Sequence, residues 1–207
     1  AKEAGGTYDP EPYLVDENAS LTEEPHVVRG SFDPAYLALP ASVIRAVARG
    51  HQKYFCVQRS EDELLPYYLA VVNTANRVDL IAKGNDRVMT SRLADARFFF
   101  EEDKKVSLES RVDKLAGIVF HAKLGSVREK VTRMESLSAT IASALGLDAA
   151  AQADVVRGAH LCKFDLVSLM VGEFPELQGH MGRVYASHAG ESQRVADCVR
   201  DHYKPVS

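Results

Sequence analysis

The 207-residue sequence can form one large domain or two small ones, and its content of 46% hydrophobic and 26% charged residues is typical of a protein with a packed core. No apolar run approaches the roughly 20 residues that span a bilayer, and residues 1–6 lack the apolar stretch of a secretion signal, so we expect neither a membrane protein nor a secreted one. The three cysteines, Cys56, Cys162 and Cys198, are far apart and form no CxxC pair. This spacing predicts neither a disulfide framework nor a zinc ribbon, and it fits a reducing cytoplasm.

The charge distribution is more informative than the net charge of −4, which argues against a non-specific nucleic-acid binder. Residues 77–133 carry 13 Lys and Arg against 9 Asp and Glu, whereas the segments on either side are both acidic. This basic segment is therefore the first place to look for contacts with a polyanion. The alternative is that it forms an ordinary solvated helical surface.

The first third of the chain alternates between strand and helix signals. An acidic entry segment of about 20 residues precedes a short strand around Val27, Val28 and Phe32, and Asp33-Pro34 predicts a turn. A helix is predicted over residues 41–48, between Pro40 and Gly50. Residues 53–58 and 67–73 are rich in aromatic and β-branched side chains, so they predict two strands joined as a hairpin by a loop over residues 59–63.

The rest of the chain shows helical periodicity. Met89, Leu93, Ala96 and Phe100 predict one face of a helix that starts near Asn76. Ser107 is a candidate N-cap for a second helix, with an apolar stripe of Val112, Leu115, Val119 and Ala122 that Gly125 ends. A third stripe, closed by Gly146, contains Val127, Val131, Met134, Leu137, Ile141 and Leu145.

Two more helices complete this pattern. Asp148 is a candidate cap for a helix that buries Val155, Cys162, Leu166 and Met170, and a last helix is predicted over residues 191–202, before Pro205. The predicted fold class is therefore α+β and predominantly α. A small α/β portion spans residues 1–75, and a helical domain spans residues 76–207.

Most catalytic signatures are absent from the sequence. It contains no GxGxxG, no Walker-type phosphate loop, no GxSxG elbow and no HExxH zinc site, and its seven histidines are scattered. The stretch AHLCKFDL at residues 159–166 resembles the second helix of the His-Asp metal phosphohydrolases, which hold a water-activating metal. Phe164 stands where the histidine of the pair would be and cannot ligate a metal, so the sequence predicts a degenerate site with Asp165 remaining. His160 precedes Asp165 by five residues, about 140° around a helix, and is a poor replacement.

Four longer strings together resemble one family, the beta subunit of the bacterial two-subunit glycyl-tRNA synthetase. They are GNDRV with SRLADARFF at residues 84–88 and 91–99, VFHAKLGS at 119–126, EFPELQG with MGR and YA at 173–186, and HQKYF at 51–55. The resemblance covers nearly the whole chain. The departures are Asp86 for Glu, Ser91 for Ala and His121 for Gln, and none of them casts doubt on the family.

The resemblance implies a role inside a larger enzyme. The family forms a heterotetramer of two alpha and two beta subunits, in which the alpha subunit holds ATP, Mg and glycine and the beta subunit contributes tRNA recognition. The chain then corresponds to an internal piece of the beta subunit that includes its helical His-Asp-type domain. Beta subunits generally lack the histidine of the pair, so Phe164 follows the family. We therefore expect no catalytic residue, metal or cofactor in this portion.

The partners that the resemblance implies are tRNA(Gly), the alpha subunit and the remaining beta-subunit domains, in the cytoplasm, with no membrane or DNA partner. Lys and Arg side chains contact RNA phosphates, which positions the RNA without reading its sequence. The candidate tRNA-binding residues are Lys83, Arg87, Arg92, Arg97, Gln52 and Lys53. An alternative for two of them is pairing along the helix, of Arg92 with Asp95 and of Arg97 with Glu101.

Two other functions stay open at this point. One is an interaction scaffold between subunits or domains that does not contact tRNA, because it would use the same exposed polar helix faces. The other is a metal-dependent phosphohydrolase of the His-Asp type.

Overall fold

The computed structural model describes residues 1–50, 52–61 and 63–205. His51, in the HQKYF string, and Asp62, in the predicted hairpin loop, lie outside the described residues. The chain forms two compact units that divide after Phe98, inside one long helix. The predicted boundary at residues 75 and 76 lies just before that helix and stays a prediction.

The first unit contains a four-stranded antiparallel sheet of order β1-β3-β4-β2. Its strands are β1 (Thr7–Tyr8), β2 (His26–Ser31), β3 (Phe55–Ser60) and β4 (Glu63–Val72), and its helices are α1 (Pro12–Leu21), α2 (Ala41–Gly50) and the first part of α3 (Val78–Lys104). The predicted helix and hairpin are therefore confirmed. Ser60 pairs with Glu63, so the strands extend into the segment that was predicted as a loop.

The core of this unit lies against the sheet and α2. The buried side chains Val43, Ile44 and Val47 recur at helical spacing on α2 and face the core. The Tyr68 ring, on the central strand β4, is fully buried and stacks on Tyr54. Its hydroxyl donates to Asp86 of α3 at 2.7 Å, and the backbone N–H of Ser31 donates to the same carboxylate at 2.8 Å. Asp86 thus ties α3 to the sheet within this unit.

The second unit is almost entirely helical. It contains the end of α3, α4 (Leu108–Lys114), α5 (Val127–Ala144), α6 (Ala149–Leu161), α7 (Leu169–Glu173), α8 (His180–His188) and α9 (Gln193–Asp201), with a small hairpin of β5 (Val119–His121) and β6 (Gly125–Ser126). The α+β, predominantly α fold class is confirmed. Nowhere in the described ranges is a helix both long and apolar enough to cross a membrane.

Several predicted helix ends are confirmed by their capping contacts. Ser107 accepts from the N–H of Ser110, and Asp148 accepts from the N–H of Ala151. Gly146 has the positive φ, 67°, of a residue just past a helix end. These ends were predictable because a cap is a contact between near neighbours in sequence.

The predicted second helix was wrong beyond Lys114. The chain leaves α4 through a 3₁₀ turn over Leu115–Gly117 and then forms the β5–β6 hairpin, in which Val119 is 79% exposed. The predicted stripe therefore ends at Leu115, which is buried. Two side chains at helical spacing do not show whether the chain between them stays helical, and here Gly117 ends the 3₁₀ turn and Gly125 begins the second strand of a hairpin.

The helix predicted from Asp148 through Met170 was also wrong in its second half. The chain makes α6, then a 3₁₀ turn over Phe164–Val167, and then the short helix α7. The sequence reading also missed α8. The apolar pattern was right about the burial of Cys162 and Met170, whereas Val155 and Leu166 are only partly buried. These positions belong to separate short segments rather than to one helix.

The predicted stripe on α5 is buried only at its N-terminal end. Val127 and Val131 pack beside Leu115 in the core. Leu137, Ile141 and Leu145 are 59%, 49% and 71% exposed, although they continue the same face at i, i+4 and i+8. Periodicity predicts a face but does not show what covers it.

Candidate functional site

The candidate residues on α3 lie on an exposed part of the first unit. Lys83, Arg87, Arg92 and Arg97 are all exposed, while Met89, Leu93 and Ala96 of the same helix are fully buried. A helix turns by about 100° per residue, so Lys83 and Arg87 lie about 40° apart, but Arg92 lies about 140° from Arg87. The four cations therefore do not form one continuous patch.

The ion pairs considered for two of these arginines are not formed in the part of the chain that the structure describes. Arg92 has no carboxylate within 4 Å there, and neither Asp95 nor Glu101 pairs with an arginine. The guanidinium of Arg97 lies over the ring of Tyr36, 4.8 Å from its centre, a cation–π contact that holds the side chain in place. Lys83, Arg87 and Arg92 form no ion pair with any residue that the structure describes, so their N–H donors are available to a ligand.

The two candidates before β3 are in a different situation. Lys53 has a positive φ of 57°, and its ammonium pairs with Glu17 at 2.8 Å. Its carbonyl accepts from the side chain of Asn18. Gln52 is partly buried. Lys53 is thus engaged in the fold of the first unit, which leaves the α3 cations as the stronger candidates.

The remnant of the His-Asp pair lies in the core of the second unit. Phe164 and Asp165 are both fully buried. The Oδ2 atom of Asp165 accepts from the backbone N–H of Gly179 at 2.7 Å and from that of Gly182 at 3.1 Å. Its Oδ1 atom is buried and has no hydrogen-bond partner among the described residues. Burial raises the pKa of this carboxyl, against the lowering effect of the two N–H donors.

His160 is held away from this remnant by its own partners. Its Nε2 lies 2.8 Å from Glu109 and its Nδ1 lies 2.9 Å from Glu135, so it links α6 to α4 and α5. Glu109 and Glu191 also flank Arg157, and the hydrogen bond to His160 is the first cause of a lowered pKa at Glu109. This is a structural network of charged groups between helices.

These residues do not fit a catalytic metal of the His-Asp type. Phe164 offers no ligand, both nitrogens of His160 face carboxylates, and one oxygen of Asp165 is committed to backbone N–H donors. No group of three or more His, Cys, Asp or Glu side chains is arranged to hold a metal ion within the described ranges. The chemistry of the donors therefore disagrees with the phosphohydrolase alternative.

Sequence reasoning missed two lysines of the second unit, Lys163, which directly precedes this remnant, and Lys130 of α5, whose charge acts on Lys163. The ammonium of Lys163 lies 3.5 Å from the centre of the Tyr203 ring, and that of Lys130 lies 3.9 Å from the centre of the Phe120 ring. Burial, reinforced by the charge of Lys130, lowers the pKa of Lys163 to about 8. Burial and the two ammonium groups also lower the pKa of His202 to about 4. No spacing in the sequence could have brought these residues together.

Comparison with known proteins identifies the relationship. The family described as "Glycyl-tRNA synthetase beta subunit" matches residues 1–207, the whole chain. The glycine–tRNA ligase beta subunit of Geobacter sulfurreducens is 46% identical over 207 residues, which is 100% of this chain and 30% of that protein.

The chain belongs to the glycyl-tRNA synthetase beta subunit family.

Other members of the family match this chain over a similar fraction of their own length. The beta subunit of Phenylobacterium zucineum is 48% identical over 93% of this chain and 29% of its own length, and that of Halalkalibacterium halodurans is 45% identical over 93% and 28%. The chain thus spans about 30% of the length of the curated relatives that it matches. The resemblance stated from the residue strings is confirmed.

The structure gives a physical reason for one string that resembles the glycyl-tRNA synthetase beta subunit family. Gly179 has a φ of 77°, and a Cβ there would lie 2.8 Å from the carbonyl oxygen of Arg200. A Cβ at Gly182 would lie 2.6 Å from Val199 and 3.0 Å from Asp165. Both glycines therefore let the backbone come close to α9 and donate to the Asp165 carboxylate.

Proposed function

We propose that this chain is the part of a glycine–tRNA ligase beta subunit that binds and orients tRNA(Gly) for glycylation. The proposal is carried by membership of the family over the whole chain, together with exposed cations on α3 that have no carboxylate partner in the described residues. In this proposal the alpha subunit binds ATP, Mg²⁺ and glycine, and the cytoplasmic holoenzyme performs the ATP-dependent reaction. The Lys83 and Arg87 side chains would contact phosphates and set the position of the RNA.

The isolated chain should not activate glycine, because it contains no nucleotide-binding loop. We expect ATP–pyrophosphate exchange at the level of the buffer blank when the purified chain is assayed with glycine, ATP and Mg²⁺. The reconstituted alpha and beta subunits serve as the positive control. Exchange above the blank with the chain alone would contradict the assignment of activation to the alpha subunit.

Reversing the charge of Arg87 should weaken tRNA binding by the holoenzyme. Each phosphate contact releases condensed counterions, so Arg87→Glu should raise the KM for tRNA and reduce the slope of log K against log salt by about 0.7 to 0.9. Glycine activation should be unchanged. The measurement is tRNA affinity of the intact tetramer at two or more salt concentrations.

Arg92→Glu is the matched control for Arg87→Glu, because it is the same change on the same helix about 140° away. We expect a smaller effect on tRNA affinity from Arg92, since an RNA surface that contacts Lys83 and Arg87 lies on another side of α3. Thermal melting of each variant checks the fold. Unchanged tRNA affinity and salt slope in both variants, with normal melting, would favour the scaffold function instead.

The scaffold alternative is supported by one specific feature. Leu137 and Ile141 of α5 and Leu145 just past its end form an exposed apolar row, and large exposed apolar patches mark protein interaction sites. The chain spans 30% of the Geobacter sulfurreducens protein. Most of such a beta subunit therefore lies outside this chain and is available to cover the row. The two functions are compatible, because the row and the α3 cations belong to different helices.

A further inference from the structure

The second unit carries two cations that are held by aromatic rings rather than by carboxylates. We call Lys130, Lys163, Phe120 and Tyr203 the lysine–aromatic cluster. Neither ammonium has a hydrogen bond or an ion pair with any residue that the structure describes. A ring face attracts a cation without taking up its N–H groups as a carboxylate would. The donors of both lysines thus stay available to an added anion.

Lys163 is unusual because it is only 9% exposed. A lysine this buried is normally paired, since the loss of hydration of its ammonium needs compensation. The charge of Lys130 lowers the pKa of Lys163 and that of His202, so Lys130 is near enough to Lys163 for the two charges to repel. Neither lysine pairs with a carboxylate of the described residues, and each ammonium lies over an aromatic ring instead.

The other charged groups near Lys163 do not neutralise it. Asp165 acts on Lys163 favourably, but its carboxylate is not within ion-pair distance, and Oδ2 already accepts from Gly179 and Gly182. Burial raises the pKa of the Cys162 thiol to about 11, so it is neutral at ordinary pH. His202 has its Nδ1 2.6 Å from the carbonyl oxygen of Val199. The positive charge of the cluster is therefore left for an external partner.

We propose that Lys130 and Lys163 form a binding site for a backbone phosphate of RNA. Lysine binds phosphate as a point charge, and two lysines fixed over rings lose little side-chain freedom when the phosphate arrives. Phe120 and Tyr203 are 42% and 39% exposed beside the two ammonium groups, so they offer surface to the adjoining nucleotide. The site rests on the proposed tRNA-binding function and adds a contact outside the residues predicted on α3.

The site is tested in the reconstituted holoenzyme with the variants Lys130→Gln, Lys163→Gln and the double variant. One phosphate contact corresponds to a slope of about 0.7 to 0.9 in log K against log salt. We expect each single variant to weaken tRNA binding and lower the slope by up to this amount. The double variant should lose no more than one contact in total, because both lysines serve one phosphate. Glycine activation should not change.

Lys105→Gln is the matched control, since Lys105 is an exposed lysine of the same unit that pairs with Glu102. It should leave tRNA affinity and salt slope unchanged. Lys163→Arg keeps the charge and should retain most of the slope. If Lys163→Gln fails to fold, Lys130→Gln alone tests the phosphate site, because Lys130 is only partly buried and its replacement should leave the fold intact.

The outcomes separate this site from the broader proposal. If wild-type binding of tRNA depends on salt and the folded Lys130→Gln variant keeps the full slope, the phosphate site is wrong while the tRNA-binding function stands. If none of the variants on α3 or in the cluster changes tRNA affinity or its salt slope, the proposed function itself fails. A rise in melting temperature with inorganic phosphate that Lys130→Gln abolishes, at unchanged tRNA affinity, would assign the site to a small anion and overturn the RNA proposal.

Discussion

Replacing Asp103 with alanine should lower the free energy of unfolding of the helical unit by about 3 to 5 kcal/mol. Asp103 is buried near the end of α3 and accepts from four donors: the guanidinium of Arg111, the hydroxyl of Tyr185, and the backbone N–H groups of Leu169 and Met170. Arg111 is 2% exposed, so alanine would leave a buried positive charge without its carboxylate. The measurement is urea unfolding of the chain, followed by circular dichroism.

Glu101→Ala is the control for this change. Glu101 also lies in the last turns of α3, but it is exposed and its one ion pair among the described residues is with Lys104, so its loss should change stability by less than about 0.5 kcal/mol. Asp103→Asn should fall between the two, because an amide oxygen still accepts but no longer neutralises Arg111. A loss from Asp103→Ala no larger than that from Glu101→Ala would show that the contacts of this carboxylate do not stabilise the unit.

Replacing Asp165 with alanine should destabilise the same unit by about 2 to 4 kcal/mol, because two buried N–H groups lose their acceptor. These donors belong to Gly179 and Gly182, at the start of α8. The retained aspartate of the degenerate pair therefore has a structural role here. Hydrogen exchange at the Gly179 and Gly182 amides should become faster in the variant, and this local effect distinguishes the lost acceptor from general loosening.

Asp165→Asn tests the same carboxylate through its charge. Burial raises the pKa of Asp165 in the folded state above its usual 3.8, so the folded state favours the protonated form more than the unfolded state does. The stabilising contribution of the protonated form is present below pH 3.8 and is lost as the pH rises through the folded pKa. Asn keeps an acceptor without this loss. The stability of Asp165→Asn relative to wild type should therefore increase as the pH rises above 3.8, and a constant difference would contradict the upward shift.

Much of the candidate site escaped prediction because its contacts are distant in sequence. Lys83, Arg87 and Arg92 could be named from charge, and their exposure agrees with that choice, but their separation around α3 and the contact of Arg97 with Tyr36 became visible only in the structure. Lys130 and Lys163 lie 33 positions apart and follow no motif. Their partners are rings from a hairpin and from the residues after α9.

The sequence by itself determined the family, the fold class and the helix ends that local contacts define. Ser107, Asp148 and Gly146 act on residues within about four positions, so their effect can be read without knowing the rest of the fold. Long residue strings in a fixed order also identify the family without knowledge of the fold.

Only the tertiary structure decided which polar and apolar groups are covered. The apolar stripe that begins on α5 is uniform in sequence, yet Val131 is buried in the core and Leu145, just past the end of α5, is exposed. Asp165 in sequence looked like the remainder of a metal site, but one of its two carboxylate oxygens accepts from N–H groups 14 and 17 residues further along the chain. Burial and electrostatic pairing depend on neighbours that folding supplies, and a local pattern contains no record of them.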